Sequence, residues 1–316
     1  MNPSIPLAVS PPTDNSTVSP FFEKGHIVAG QSRKKSIKLY YEKTGAGPLL
    51  LLFVMGLNSP GCAGESVVAE FAKKPEYTIA TFDNRGVGFS DSPSGIYSTS
   101  QMAQDTLDLL DGLQWKEKVH VVGTSLGGMI SLELVLKDPT RFASLCLVST
   151  NAGRALPPFS ALSFVSRVST VKAESRPLVI VQTLFPQVWL EKPAPEGSNY
   201  KTNQEHTIAG IEKMFRDRPP QTIQGSMGQT MAAGLHYVSP KRLSMIRASG
   251  LPVLVMTGTD DKMVSPEGSY HLQKELGSHM VVFEGTGHGI AMEYPETYCR
   301  LIDELVRHGN NGRFEL

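Results

Sequence analysis

Val119-His-Val-Val-Gly-Thr-Ser-Leu-Gly-Gly128 is the stretch that decides how this chain is read. A short apolar run ends in Gly123-Thr-Ser-Leu-Gly127, and an amphipathic pattern, Leu126–Lys137, follows without a break. The period therefore changes from that of a strand to that of a helix across a single serine flanked by glycines. Glycines on either side let strand and helix approach in a tight turn, in which the central residue is held in a strained backbone conformation. Such a turn pushes the Ser125 hydroxyl out at the carboxyl edge of a sheet. It also aims the Leu126 N–H, at a helix N-terminus, toward a place where negative charge could develop. The bare pattern G-x-S-x-G is common by chance; a strand before it and a helix after it make Ser125 a candidate nucleophile.

The same alternation extends in both directions. Leu49–Met55 is apolar on both faces, as a strand covered on both sides must be. Tyr77–Phe82, Val119–Val122, Leu145–Val148, Pro252–Met256 and Met280–Phe283 repeat that signature, and His26–Ala29 with Ile37–Glu42 reads as a hairpin. Helical patterns lie between them at Ser66–Lys73, Gln101–Leu113, Leu126–Lys137, Pro266–Leu276 and Pro295–Arg307. The expected fold is α/β, a doubly wound and mostly parallel sheet. From 152 to 240 the rhythm stops: no convincing strand occurs, yet apolar and aromatic residues stay frequent, among them Phe185 and Trp189. Structureless loops of that length are rare, so the segment is expected to be a helical insertion. The division that follows is a flexible Pro/Ser-rich tail at 1–20, a core at 21–151 and 241–316, and a helical cap at 152–240.

A serine hydroxyl near neutral pH needs a base. Of eight histidines, His288 in Phe283-Glu-Gly-Thr-Gly-His-Gly289 follows the last strand directly, between glycines that leave its ring free to reach across the sheet edge. His120 sits inside a strand, and the other six have no such loop. A carboxylate after another strand would orient the imidazole. Pro252-Val-Leu-Val-Met-Thr-Gly-Thr-Asp-Asp-Lys262 supplies two neighbours, Asp260 and Asp261, whereas Ser149-Thr-Asn-Ala-Gly153 supplies none.

Composition narrows the partners. The 316 residues include 40% hydrophobic and 19% charged residues with 29 Gly and 22 Pro, which excludes a coiled coil, a fibre or a wholly disordered chain. Thirty Lys+Arg balance 30 Asp+Glu, without the basic excess that phosphate neutralisation requires of a nucleic-acid binder. A small molecule is the expected partner. Three scattered cysteines, Cys62, Cys146 and Cys299, form neither a disulfide framework nor a zinc site and point to the cytoplasm. Residues 1–20 lack the basic start and unbroken apolar core of a secretory signal. No apolar run approaches the roughly 20 residues of a membrane span. Asp83-Asn-Arg-Gly-Val-Gly88 lacks the third glycine and helix opening of a dinucleotide fingerprint, and Glu205-His206 and His236 lack metal-ligand spacing, so neither cofactor nor metal is expected. Nothing in the pattern specifies an oligomeric state.

Taken together, these motifs resemble the α/β-hydrolase superfamily over about residues 25–310. Phe82-Asp-Asn-Arg-Gly-Val-Gly-Phe-Ser-Asp91 is similar to that family's D-x-R-G-x-G-x-S loop, and the chain order nucleophile, acid, histidine is the family's order. The resemblance implies an eight-stranded sheet and favours Asp261, three residues after Gly258, as the acid. It implies a triad of Ser125, Asp261 and His288 and an oxyanion hole made by backbone N–H groups of Leu57 and Leu126. Many members carry His-Gly after the third strand, where this chain reads Val54-Met-Gly-Leu-Asn58; a backbone donor at Leu57 survives that change. The implied activity is cofactor-free hydrolysis of a small, largely apolar carboxylic ester or lactone, with Phe185 and Trp189 as candidate pocket walls. Two alternatives share the scaffold: C–C bond, peracid or non-hydrolytic chemistry, and a small-molecule receptor with a vestigial triad.

Overall fold

The structure is a computed structural model and describes residues 22–31, 36–153 and 158–316. The expected tail at 1–20 lies outside them. Eight strands form one sheet: β1 (Glu23–Ala29), β2 (Ile37–Gly45), β3 (Leu49–Val54), β4 (Tyr77–Phe82), β5 (Val119–Thr124), β6 (Phe142–Val148), β7 (Val253–Gly258) and β8 (His279–Phe283), in the order β1-β2-β4-β3-β5-β6-β7-β8. β1 and β2 form the antiparallel edge, and every pairing from β4 across to β8 is parallel.

Side chains alternate by two along the central strands and so build two cores. Leu52, Val54, Val119, Val121, Leu145, Leu147, Val253 and Val255 face one layer. That layer holds α2 (Thr99–Gly112), α3 (Leu126–Lys137), α9 (Pro240–Ala248) and α10 (Pro266–Leu276). Leu51, Phe53, Ile79, Val122, Cys146, Val148, Leu254 and Met256 face α1 (Glu65–Ala72) and α12 (Pro295–His308) on the other. Helix α12 buries Tyr298, Cys299, Leu301, Ile302, Leu305 and Val306, the spacing of one apolar helical stripe. Apolar burial on both faces is what produced the continuous hydrophobic runs in the sequence.

Element ends differ from the sequence expectation where pairing overrides hydropathy. Strand β6 starts at Phe142 rather than Leu145, because Phe142 and Ser144 pair with Val119 and His120 across a register shift. Among the described residues between β6 and α9 lie five α-helices: α4 (Phe159–Thr170), α5 (Arg176–Leu184), α6 (Gln187–Leu190), α7 (Asn203–Asp217) and α8 (Ile223–Gly234). Among the described residues of this insertion, β pairing is limited to two isolated bridges, Gly153 with Tyr237 and Pro193 with Thr202. The first bridge closes its neck, where the Val238 N–H donates to Ala152 O at 2.8 Å. The insertion has a small core of its own, built on Val181, Phe185 and Leu190.

Two buried histidines make the fold sensitive to acid. His120 Nδ1 sits 2.8 Å from Ser144 Oγ inside the sheet, and His236 Nδ1 sits 2.8 Å from Thr99 Oγ1 at the neck. Burial pushes both rings down to about 4, in His236 with a smaller opposing pull from Glu133. The unfolded chain binds these protons first, near the ordinary value of about 6.5. The stability each neutral ring contributes is therefore complete above about pH 6.5 and is lost as pH falls from there toward 4, by up to about 3 kcal/mol per ring. Urea midpoints should fall clearly between pH 7 and pH 4.5, and the H120N/H236N double variant should show a flatter profile; equal slopes for variant and parent would contradict this assignment.

Candidate active site

Ser125 is the residue between β5 and α3, with φ 56° and ψ −120°. Positive φ in a non-glycine residue costs on the order of 1–3 kcal/mol and persists only where the surroundings impose it. Here two backbone contacts do so. A Cβ on Gly127 would stand 1.9 Å from Val54 O, and one on Gly123 would stand 2.4 Å from Ser131 Oγ and 2.6 Å from Gly127 O. The helix thus starts in direct backbone contact with two strands. The Ser125 N–H donates to Val148 O at 2.8 Å, and Thr150 Oγ1 donates to Ser125 O at 2.7 Å, which fixes the turn from the β6 side. Ser125 itself is half-buried, and its Oγ has no hydrogen-bond partner among the described residues.

The candidate acid and base stand in the loops after two adjoining strands. Asp261, in the loop after β7, is buried. Its Oδ1 accepts the N–H groups of Met263 and Val264 at 2.8 and 2.9 Å. Its Oδ2 lies 2.7 Å from His288 Nδ1, in the loop after β8. The two loops are locked together: the Asp260 N–H donates to Thr286 O at 2.9 Å, and a Cβ on Gly258 would meet Thr286 O at 2.3 Å. Burial alone would lower the His288 ring, but the charge and hydrogen bond of Asp261 outweigh it, and the ring is held above its ordinary value. Asp260, the neighbouring alternative, is exposed and its carboxylate accepts only from Thr259 Oγ1 at 3.4 Å among the described residues.

The turn after β3 completes the arrangement. A Cβ on Gly56 would stand 3.2 Å from Ser125 Cβ, so this turn lies directly against the serine. The Ser59 N–H donates to Gly56 O at 3.3 Å, while the Leu57 N–H has no acceptor among the described residues. Leu126 is the first residue of α3, so its N–H lacks an intrahelical partner as well. Behind them, Asp83 anchors the 83–91 loop: its Oδ1 accepts from the Gly61 N–H at 2.7 Å and its Oδ2 from the Phe89 N–H at 2.8 Å.

Of the candidate pocket walls, Phe185 is buried and Trp189 half-buried. Phe185 is 3% exposed, packs on Gly289 beside the histidine, and stacks on Trp189 with centroids 4.7 Å apart. Two polar residues near the site are not singled out from the sequence. Glu293, on the one-turn helix α11 (Ile290–Glu293), accepts from the Gly287 N–H at 2.9 Å, and burial pushes its carboxyl up to about 7. Gln229, on α8, contacts the turn after β3. A carboxylate five residues after the histidine could have been noticed in the sequence; a glutamine within a helix of the insertion could not. Among the described residues, no group of three or more His, Cys, Asp or Glu is placed to hold a metal ion.

The sequence profile of the α/β hydrolase fold matches residues 48–295, which includes all of these loops. The chain belongs to the α/β-hydrolase fold family. Within it, the chain is similar to a non-heme chloroperoxidase of Streptomyces lividans, 27% identical over 237 residues covering 70% of this chain and 78% of the relative. The esterase of Thermogutta terrifontis shares this α/β-hydrolase fold with TM-score 0.71 and 22% identity, over 92% of this chain and all of that one. So does the enol-lactonase of Burkholderia xenovorans, with TM-score 0.70 and 18% identity over 85% and 96% of the two chains.

Because a backbone carbonyl cannot move aside as a side chain can, Gly127→Ala should be severe. The expected result is a fall of more than about 3 °C in thermal midpoint for a cost above about 2 kcal/mol in a chain of this size, with loss of fluorophosphonate labelling at Ser125. A variant that melts and labels like the parent would show that the turn tolerates a side chain there.

Proposed function

We propose that this α/β-hydrolase cleaves a carboxylic ester or lactone of a small, largely apolar substrate through an acyl-enzyme formed on Ser125. One observation carries the reading: a serine held at φ 56° at the carboxyl edge of the sheet, with the Asp261–His288 pair in the loops after β7 and β8 along the same edge. His288 Nδ1 is occupied by Asp261, so Nε2 is the nitrogen that takes the Ser125 proton as Oγ attacks the carbonyl carbon. The tetrahedral oxyanion is met by the N–H groups of Leu57 and Leu126. His288 then returns its proton to the leaving alkoxide, and a water deprotonated by the same ring releases the acid and restores Ser125. An esterase and an enol-lactonase among its structural neighbours support this class of bond. The helices between β6 and α9 act as the cap that shapes the pocket. Three unpaired cysteines, two of them buried, accord with a cytoplasmic location.

The test is a panel of aryl esters and lactones of graded acyl length, run with three variants. Ester turnover should be lost in Ser125→Ala, by on the order of 10⁶ in kcat where the triad acts as a unit. Asp261→Asn should cost about 10⁴, through the wrong imidazole tautomer, whereas Asp260→Asn should stay within about threefold, a drop under 1 kcal/mol in barrier terms. The kcat/KM profile should rise through the ionisation of His288, displaced above the usual value near 6.5 by Asp261. Rapid labelling of Ser125 with no turnover of any ester or lactone would reject hydrolysis in favour of non-hydrolytic chemistry or ligand reception.

A further inference from the structure

Helix α8 meets the core through small residues. Gly225, Gly228, Gln229 and Ala232 form its buried face, and a Cβ on Gly225 would stand 2.1 Å from Gly86 O while one on Gly228 would stand 2.6 Å from the Tyr97 ring. This approach, possible because neither glycine has a side chain, carries the Gln229 amide into the interior, where its exposure is 0%. A buried amide is tolerated only when both ends are bonded. Gln229 Oε1 accepts the Asn58 N–H at 2.8 Å, and Nε2 donates to Arg85 O at 2.8 Å. Arg85 is itself fixed, 2.5 Å from Asp105 and over the Tyr97 ring at 5.3 Å. The amide therefore spans from a rigid loop to the residue that follows Leu57.

Asn58 is held from the same helix at a second point. Its φ is 54°, a conformation that asparagine adopts more readily than other non-glycine residues, and its Nδ2 donates to Ser226 Oγ at 3.2 Å. Two bonds from α8 thus clamp the turn on one side, and Ser59 N–H to Gly56 O closes it on the other. Gly56 C=O and Leu57 N–H belong to one trans peptide and point in opposite directions, so fixing the carbonyl aims the N–H. A Cβ on Gly56 would stand 3.8 Å from Ser125 Oγ, which puts this peptide beside the reacting atom.

We infer that Gln229 is a positioning residue: it holds the 56–59 turn so that the Leu57 N–H stays aimed at the developing oxyanion, and it makes helix α8 of the insertion part of transition-state stabilisation as well as of the pocket. The inference rests on the serine-hydrolase reading. It requires that loss of the clamp weaken binding of tetrahedral, negatively charged species more than binding of planar substrate.

The parent enzyme is first taken through the ester panel; absence of turnover there sinks the hydrolase reading and this inference with it. Gln229→Met, close in shape but without polar atoms, is then compared with the parent in kcat per Ser125 site titrated with fluorophosphonate, in KM, and in affinity for an alkyl boronic acid. The expected result is a fall of about 10- to 100-fold in kcat per titrated site, below the 10²–10³ for outright removal of a donor. KM should stay within about threefold and boronate affinity should fall in parallel with kcat/KM. Gln229→Glu supplies a second readout that a purely structural role would not move. Its carboxylate opposes Arg85 O, but protonated it restores the donor, so its activity relative to the parent should climb as pH is lowered from 8 to 5.5. A Met variant that keeps kcat per site and boronate affinity within about twofold, or loses titratable sites alone, overturns the inference; so does a Glu-to-parent ratio that is flat with pH. Should the Met variant fail to fold, the Glu ratio decides.

Discussion

The contact between the Gly127 backbone and the Val54 carbonyl is the constraint on which the site depends. No side chain fits between them, and a helix can begin there only if the preceding residue turns the chain through a conformation that L-residues avoid. The strain is borne by the whole sheet, through Val148 O and Thr150 on one neighbour and Val54 on the other. It sets Ser125 on the rim with its Oγ unpartnered among the described residues, while its own backbone N–H and C=O are bonded to Val148 O and Thr150 Oγ1. Rigidity in the backbone and freedom at one hydroxyl arise from the same packing.

The other groups reach that rim because parallel strands all deliver their carboxyl ends to one edge of the sheet. β3 brings the Gly56–Leu57 turn, β5 the serine, β7 the carboxylate and β8 the imidazole. The helices between β6 and α9 then fasten onto the loops after β3, β7 and β8. Ser160 Oγ in α4 donates to Lys262 O at 2.5 Å beside the acid, the His288 N–H donates to Leu184 O of α5 at 2.8 Å, and Gln229 of α8 takes the Asn58 N–H. An insertion bound to the Asp261 loop, the His288 loop and the turn after β3 does more than cover them. Its packing is mechanically continuous with the groups that would do the chemistry.

Much of this was legible from local pattern. Leu49–Val54 and Val119–Val122 read as buried strands because both faces are apolar, and the serine turn was legible because the change of period and the glycines fall at one place. The pairing of His288 with an aspartate in the Gly258 loop was accessible from chain order, although choosing Asp261 over its neighbour needed a family pattern. In the structure it is Asp261 whose two oxygens are engaged, while Asp260 faces solvent. What escaped the sequence has long reach. Gln229 meets Asn58 across 171 positions, and no periodicity announces it. Aromatic content alone does not distinguish a ring facing a ligand from one packed behind a loop, and Phe185 is buried against Gly289 and Trp189. Strand ends shifted where a ladder continued past the apolar run, as at Phe142.

The central claim is that Ser125 carries the acyl group. The most direct measurement is intact-protein mass spectrometry of samples quenched in acid during turnover of a slowly deacylating ester, with the adduct located by peptide mapping. The account predicts a mass increase equal to the acyl group, found on the Ser125 peptide and decaying as substrate is exhausted. Steady turnover with no adduct at any time, or an adduct on another residue, would contradict it.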